Sequence, residues 1–160
     1  ALSKEKRSLS NYNPKWLVEG GAFVLGSVYT RQYYGEDWLE SVIQNQNYWK
    51  IEKVTKKPHL YEKHKTSPVG VDTFYSGSAF MLLALVNELK KNNISEEEAF
   101  RLVFRDFWIE KAKHKKWEKA FGQTFGMSHD EFYERLSKYK LKDLKKILPS
   151  KTLKIQDIFS

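Results

Sequence analysis

Glu19 is followed directly by two glycines in the run Asn13-Pro14-Lys15-Trp16-Leu17-Val18-Glu19-Gly20-Gly21-Ala22, an otherwise apolar helical turn. A carboxylate on an apolar face is costly unless it is paired or bound to a metal. Each glycine inside a helix costs about 1 kcal/mol relative to alanine. Two such penalties in adjacent residues point to a metal-binding or otherwise functional carboxylate, or to a very close helix contact. The plainer alternative is an exposed Glu19 favoured by the positive end of a helix dipole, with Gly20 and Gly21 serving packing alone. The histidines add little. His59 and His64 stand five apart, off the i, i+4 spacing that sets two imidazoles on one helical face, and Pro58 and Pro68 bracket them as loop. His114 and His129 lie in lysine-rich or capping contexts, so all four read as solvated surface residues. The chain has no cysteine, which excludes disulfides and thiolate metal sites.

The elements that must carry these residues read as helices. Asn13 is a good N-cap with Pro14 at the first helical position, and apolar residues recur from Trp16 to Tyr29 before a stop at Gly35. Glu36 to Ile43 reads as a short second helix, with Tyr33, Tyr34 and Trp38 as helix-end packing, and Lys50 to Val71 as mostly loop. Thr73 to Leu89 is apolar almost all round, the pattern of a central buried helix. Ser95 and Ser128 each precede a glutamate by three residues and open further helices, while Trp117 to Phe125 forms another that ends at Gly126. The tail predicts a short amphipathic helix on Leu141, Leu144, Ile147 and Leu148, ended by Pro149, then an extended segment packing on the body or on a partner. The fold class is therefore all-α: one domain of five to six helices with a long Lys-rich loop. Its parts are a polar N-terminal segment 1–12, a helical domain 13–139 and a C-terminal tail 140–160. With 160 residues, 41% of them hydrophobic, the chain is long enough for a real core and unlike a disordered one. No apolar run is long enough to span a bilayer, and the polar N-terminus lacks the centre of a signal peptide.

Pro14, Trp16, Leu17, Glu19, Gly20 and Ala22 match, in order and spacing, a Pro-x-Trp-Leu-x-Glu-Gly-x-Ala phrase. This segment resembles the third-ligand helix of gluzincin (peptidase MA-like) zinc metallopeptidases. The later phrases Tyr75-Ser76-Gly77-Ser78-Ala79, Ser95 to Phe107 and Phe121 to Tyr133 follow in the order seen in the helical part of such proteins, so the resemblance covers roughly residues 14 to 139. It implies that Glu19 is a zinc ligand and that the small residues after it let two ligand helices approach closely. It also places the Tyr75 phenol near a reacting carbonyl, where its hydroxyl would stabilise an oxyanion. The His-Glu-x-x-His helix is missing from Ala1 to Tyr12, which contain no histidine. The expectation is a C-terminal helical subdomain, a fragment or trimmed chain that supplies the third ligand but is inactive alone. Zn and the general base would belong to a complete parent, and the partner would be a missing N-terminal peptidase segment or another protein.

The formal net charge of +8 raises a competing class, since lysines cluster at Lys50–Lys65, Lys111–Lys119 and Lys138–Lys154 and attract phosphates. Only five arginines are present, so bidentate base reading is poorly supplied, and the clusters scatter instead of marking one recognition helix. Nucleic acid is thus a disfavoured partner. The runner-up function is a non-catalytic helical interaction module that meets an anionic partner through Lys patches, and the plainest account of the lysines is a solvated surface.

Overall fold

The computed structural model describes residues 12–45, 48–63 and 71–160, and it is helical, with no strand among those residues. Helix α1 (Lys15–Tyr34) begins one residue later than the sequence predicts. Pro14, not Asn13, is its cap: with φ −64° and ψ 115° it turns the chain, and its carbonyl accepts from the Leu17 and Val18 amides at 3.0 and 3.3 Å. The helix stops at Gly35, whose φ of 71° is the left-handed conformation that closes a helix by an amide bond to Arg31 O. Helix α2 (Leu39–Gln44) is shorter than the predicted span and buries Leu39 and Ile43.

The stretch read as a Lys-rich loop is instead largely helical. It forms α3 (Tyr48–Lys56) and a 3-10 turn at Pro58–Tyr61. The lysines hid the pattern: Ile51 and Val54 lie three apart and are buried, as is Tyr61, while the lysines between them are good helix formers on the outer side. Residues 64–70, with His64, lie outside the described residues, as does the polar segment up to residue 11.

Helix α4 (Val71–Lys90) is the axis of the domain, buried without a break from Gly77 to Val86. Helix α1 lies along it. Gly20 permits this close approach, since a Cβ there would fall 2.7 Å from the Ser78 carbonyl carbon and closer still to its oxygen. Helix α5 (Glu96–Arg101) opens with the predicted capping box, Ser95 Oγ accepting from Glu98 N and Glu98 Oε2 from Ser95 N, both at 3.1 Å. It continues through a π-helical turn (Leu102–Asp106) into α6 (Phe107–Lys111). The wider turn brings Phe104 across the groove of α1, 3.1 Å from where a Gly21 Cβ would stand.

Helix α7 (Trp117–Phe125) ends at the left-handed Gly126, and α8 (His129–Leu136) starts from Ser128, whose hydroxyl accepts from Glu131 N at 3.0 Å. These two helices enclose Trp16, whose ring lies 5.6 Å from Phe132 and 6.3 Å from Phe121. Aromatic side chains of this size supply most of the apolar area in the core.

The tail packs on the body but ends in a helix where the sequence predicts an extended segment. After a 3-10 turn (Leu141–Asp143) and α9 (Leu144–Ile147), it folds back as α10 (Ile155–Phe159) onto α1 and α5. Leu153 and Ile158 are buried. Arg31 donates to the carbonyls of Pro149, Ser150 and Leu153, Arg101 to Asp157 O, and Arg105 to Ser160 O. With these additions the helices outnumber the five or six expected, because short helices held by tertiary contacts carry little periodic signal.

Candidate functional site

Helix α1 turns two unlike faces to its surroundings. One face, Trp16, Leu17, Gly20, Gly21, Val24, Ser27 and Val28, is buried. The opposite face runs from Lys15 through Glu19, Ala22, Gly26, Tyr29 and Tyr33 at alternating steps of four and three residues, and beyond Glu19 it carries no charge. Tyr29 and Tyr33 are about half exposed, and nothing approaches within 4 Å of the position a Gly26 Cβ would take. An amphipathic surface helix would place polar residues there. The composition of α1 is that of a helix covered on both sides.

Glu19 sits near the head of this face. With Ala22, Phe23, Gly26, Trp38 and Tyr75 it lines a shallow, open groove of about 400 Å³. Phe23 and Trp38 form one wall, their rings edge to face at 4.9 Å. Tyr75, half-buried near the start of α4, stands edge to face with Phe74 at 6.3 Å. Thus Glu19 and Tyr75, sixty residues apart or nearly so in the chain, share one groove. The glycines have a different role from the one the resemblance implies: Gly20 and Gly21 face Ser78 and Phe104 inside the domain, and the small residues on the open side are Ala22 and Gly26.

Among the described residues, no histidine lines the groove with Glu19. His59 is exposed on the 3-10 turn. His114 and His129, expected as solvated, are both partly buried. His114 Nε2 lies 2.8 Å from Glu110 Oε1 one helical turn back, which together with Lys113 holds the Glu110 carboxyl below its usual range. His129 packs edge-on to Trp117 at 5.0 Å and to Tyr133 at 5.7 Å. Among the described residues there is no group of three or more His, Cys, Asp or Glu that could hold a metal ion. Catalytic zinc takes three protein ligands. Among the described residues lining this groove, Glu19 is the one side chain of ligand type.

Two polar networks were not legible in the sequence. In the first, Tyr133 accepts a hydrogen bond from Trp16 Nε1 and donates one to Glu62 Oε2, both at 3.1 Å, while Tyr12 donates to Glu62 Oε1 at 3.4 Å. The Glu62 carbonyl also accepts from Lys15 N at 2.9 Å, so one residue fastens the start of α1. Burial pushes the Glu62 carboxyl above its ordinary range against the opposing effect of the Tyr133 hydroxyl, and burial pushes the Tyr133 phenol well up. In the second, Glu88, 3% exposed, accepts from the Tyr139 hydroxyl and pairs with Lys91 Nζ at 2.6 Å, while Asn87 donates to the Tyr139 oxygen at 2.7 Å. Partners separated by fifty or more residues leave no local trace that sequence reading can use.

Comparison of the chain with protein-family models, with curated proteins and with solved structures gives no match.

Proposed function

We propose that this chain is the C-terminal helical subdomain of a gluzincin-like zinc metallopeptidase, with Glu19 as the third metal ligand. The observation that carries the reading is the open face of α1, where one carboxylate, a turn after Lys15, precedes an uncharged stripe with small residues, Ala22 and Gly26, at its centre. Small residues let a second helix approach closely, and such a helix would cover the face that α1 leaves bare. The zinc ion, when bound, supplies a polarised carbonyl and an activated water. Glu19 would contribute one carboxylate oxygen, and the Tyr75 hydroxyl in the same groove would donate to the oxyanion that forms on the substrate. Phe23 and Trp38 would keep water from that wall of the groove. The described residues alone carry no second ligand and no general base, so the activity belongs to a longer polypeptide or to a complex.

The test is a polypeptide that extends upstream of Ala1 in the same reading frame. A His-Glu-x-x-His motif is expected in it, with zinc bound one to one and lost in Glu19→Gln, and peptidase activity reduced in Tyr75→Phe with zinc retained. A frame without the motif, or zinc held in full by E19Q, overturns the proposal.

A further inference from the structure

The C-terminal ends of α4 and α8 meet α9 around a groove of about 560 Å³ on a different set of elements from the Glu19 face. Lys91, Arg135, Lys138 and Lys146 stand around it, against the two carboxylates Glu88 and Asp143, so four positive charges face two negative ones. The acids sit so as to hold the cations in place. Glu88, at the floor, lies 2.6 Å from Lys91 Nζ and 4.0 Å from Arg135 Nη1, and Asp143 Oδ1 lies 3.9 Å from Lys146 Nζ. The Lys138 ammonium has no partner among the described residues.

Cations near helix C-termini complement the dipole, which accounts for Lys91 and Arg135 without any ligand. It does not account for Lys138, which lies beyond the end of α8 and adds an unpaired charge to the same concavity, while Lys146, in the last turn of α9, is paired with Asp143. The Tyr139 hydroxyl is already committed to Glu88, and Asn87 to Tyr139, so the floor is satisfied internally and the free donors are those of the rim. We infer that this groove is a binding site for a small, multiply charged phosphoryl ligand, a polyphosphate or a phosphomonoester. Its volume falls in the range of small-molecule sites. Three lysines supply point charges and one arginine a planar fork, a combination that suits tetrahedral oxyanions more than planar carboxylates. The net charge of +8 draws such anions toward the surface.

Calorimetric titration of the chain with sodium tripolyphosphate tests the site. Saturable one-to-one binding is expected, weakening as salt rises. The Lys138→Glu/Lys146→Glu variant should bind at least about tenfold more weakly, because each lost contact is a charge-assisted one. Lys115→Glu/Lys116→Glu, on the other exposed lysine cluster, should bind within about twofold of the parent, and the milder Lys138→Gln/Lys146→Gln should fall between, with circular dichroism showing all three folded. Vesicles containing phosphatidic acid separate the sources of the phosphoryl group: binding to tripolyphosphate that K138E/K146E loses supports a soluble ligand, and binding to vesicles alone overturns it. Equal loss from both lysine pairs, or no saturable binding, also overturns the site.

Discussion

Two glycines of α1 should respond to the same substitution with opposite signs. Replacing Gly26 by alanine adds a methyl group where nothing lies within 4 Å, on the exposed side of the helix. The gain is the helix propensity of alanine over glycine, about 1 kcal/mol, partly from a less flexible unfolded chain. For a domain of this size that corresponds to a rise in Tm of about 2–4 °C. Replacing Gly20 by alanine makes the same propensity gain but places the new carbon 2.7 Å from the Ser78 carbonyl carbon and 3.2 Å from Ala79 N. These are backbone atoms of a fully buried helix, so no side chain can turn aside and α1 must lift from α4. Overpacking of this kind costs about 1–3 kcal/mol, and a forced separation of two helices lies toward the upper end. The net expectation is a loss of about 1–2 kcal/mol after the propensity gain is subtracted. Urea denaturation followed by far-ultraviolet circular dichroism reads both. A Gly20→Ala variant as stable as the parent, or a Gly26→Ala variant less stable than it, would refute the assignment of the inner and outer faces of α1.

Three other perturbations follow from the networks. Because burial holds the native Glu62 carboxyl above its unfolded range, the folded state binds more protons there, and its stability falls as pH climbs through that window. Glu62→Gln should therefore flatten the fall of the urea midpoint as pH rises above the ordinary carboxylate range and raise the midpoint at neutral pH; a steeper profile would contradict it. Arg31→Ala removes donors to three tail carbonyls and should cost about 1–3 kcal/mol, with hydrogen exchange quickened in residues 149–160 and unchanged in α4. Ser95→Ala breaks the capping box and should cost about 1 kcal/mol, measured by the same denaturation.

What the sequence discloses is what depends on neighbours along the chain. Ser95, Ser128, Gly35 and Gly126 mark helix ends by chemistry confined to four or five residues, and all four do so in the structure. The central helix is visible because its apolar residues leave no polar side. Helix α3 escapes notice since lysines dominate its composition although Ile51 and Val54 anchor it. Helix α10 escapes because five residues cannot show a period, and its fold-back depends on arginines over fifty residues away. Glu19 stands out by its place beside two glycines and Tyr75 only through a family resemblance, and their common groove depends on how α1 lies along α4. The glycines after Glu19 are close-contact residues, Gly20 against α4 and Gly21 against the Phe104 ring, both inside their own domain. Glu62 carries no local sign of its partners, and Glu88 none beyond Lys91, three residues on.

Arg31, Arg101 and Arg105 reach chiefly main-chain oxygens of the tail, the one side-chain contact being Arg101 Nη1 to Ser160 Oγ at 3.4 Å. A carbonyl is the same group in every residue, so this grip follows the path of the chain and is indifferent to its lettering. Pro149, Leu153 and Ile158, sunk into the body, and Gln156 and Asp157, by their side-chain hydrogen bonds, are tied to their identities. The rest of the last dozen residues can therefore drift, or be rewritten by design, while keeping their place, provided those five positions and the three guanidinium groups are left alone.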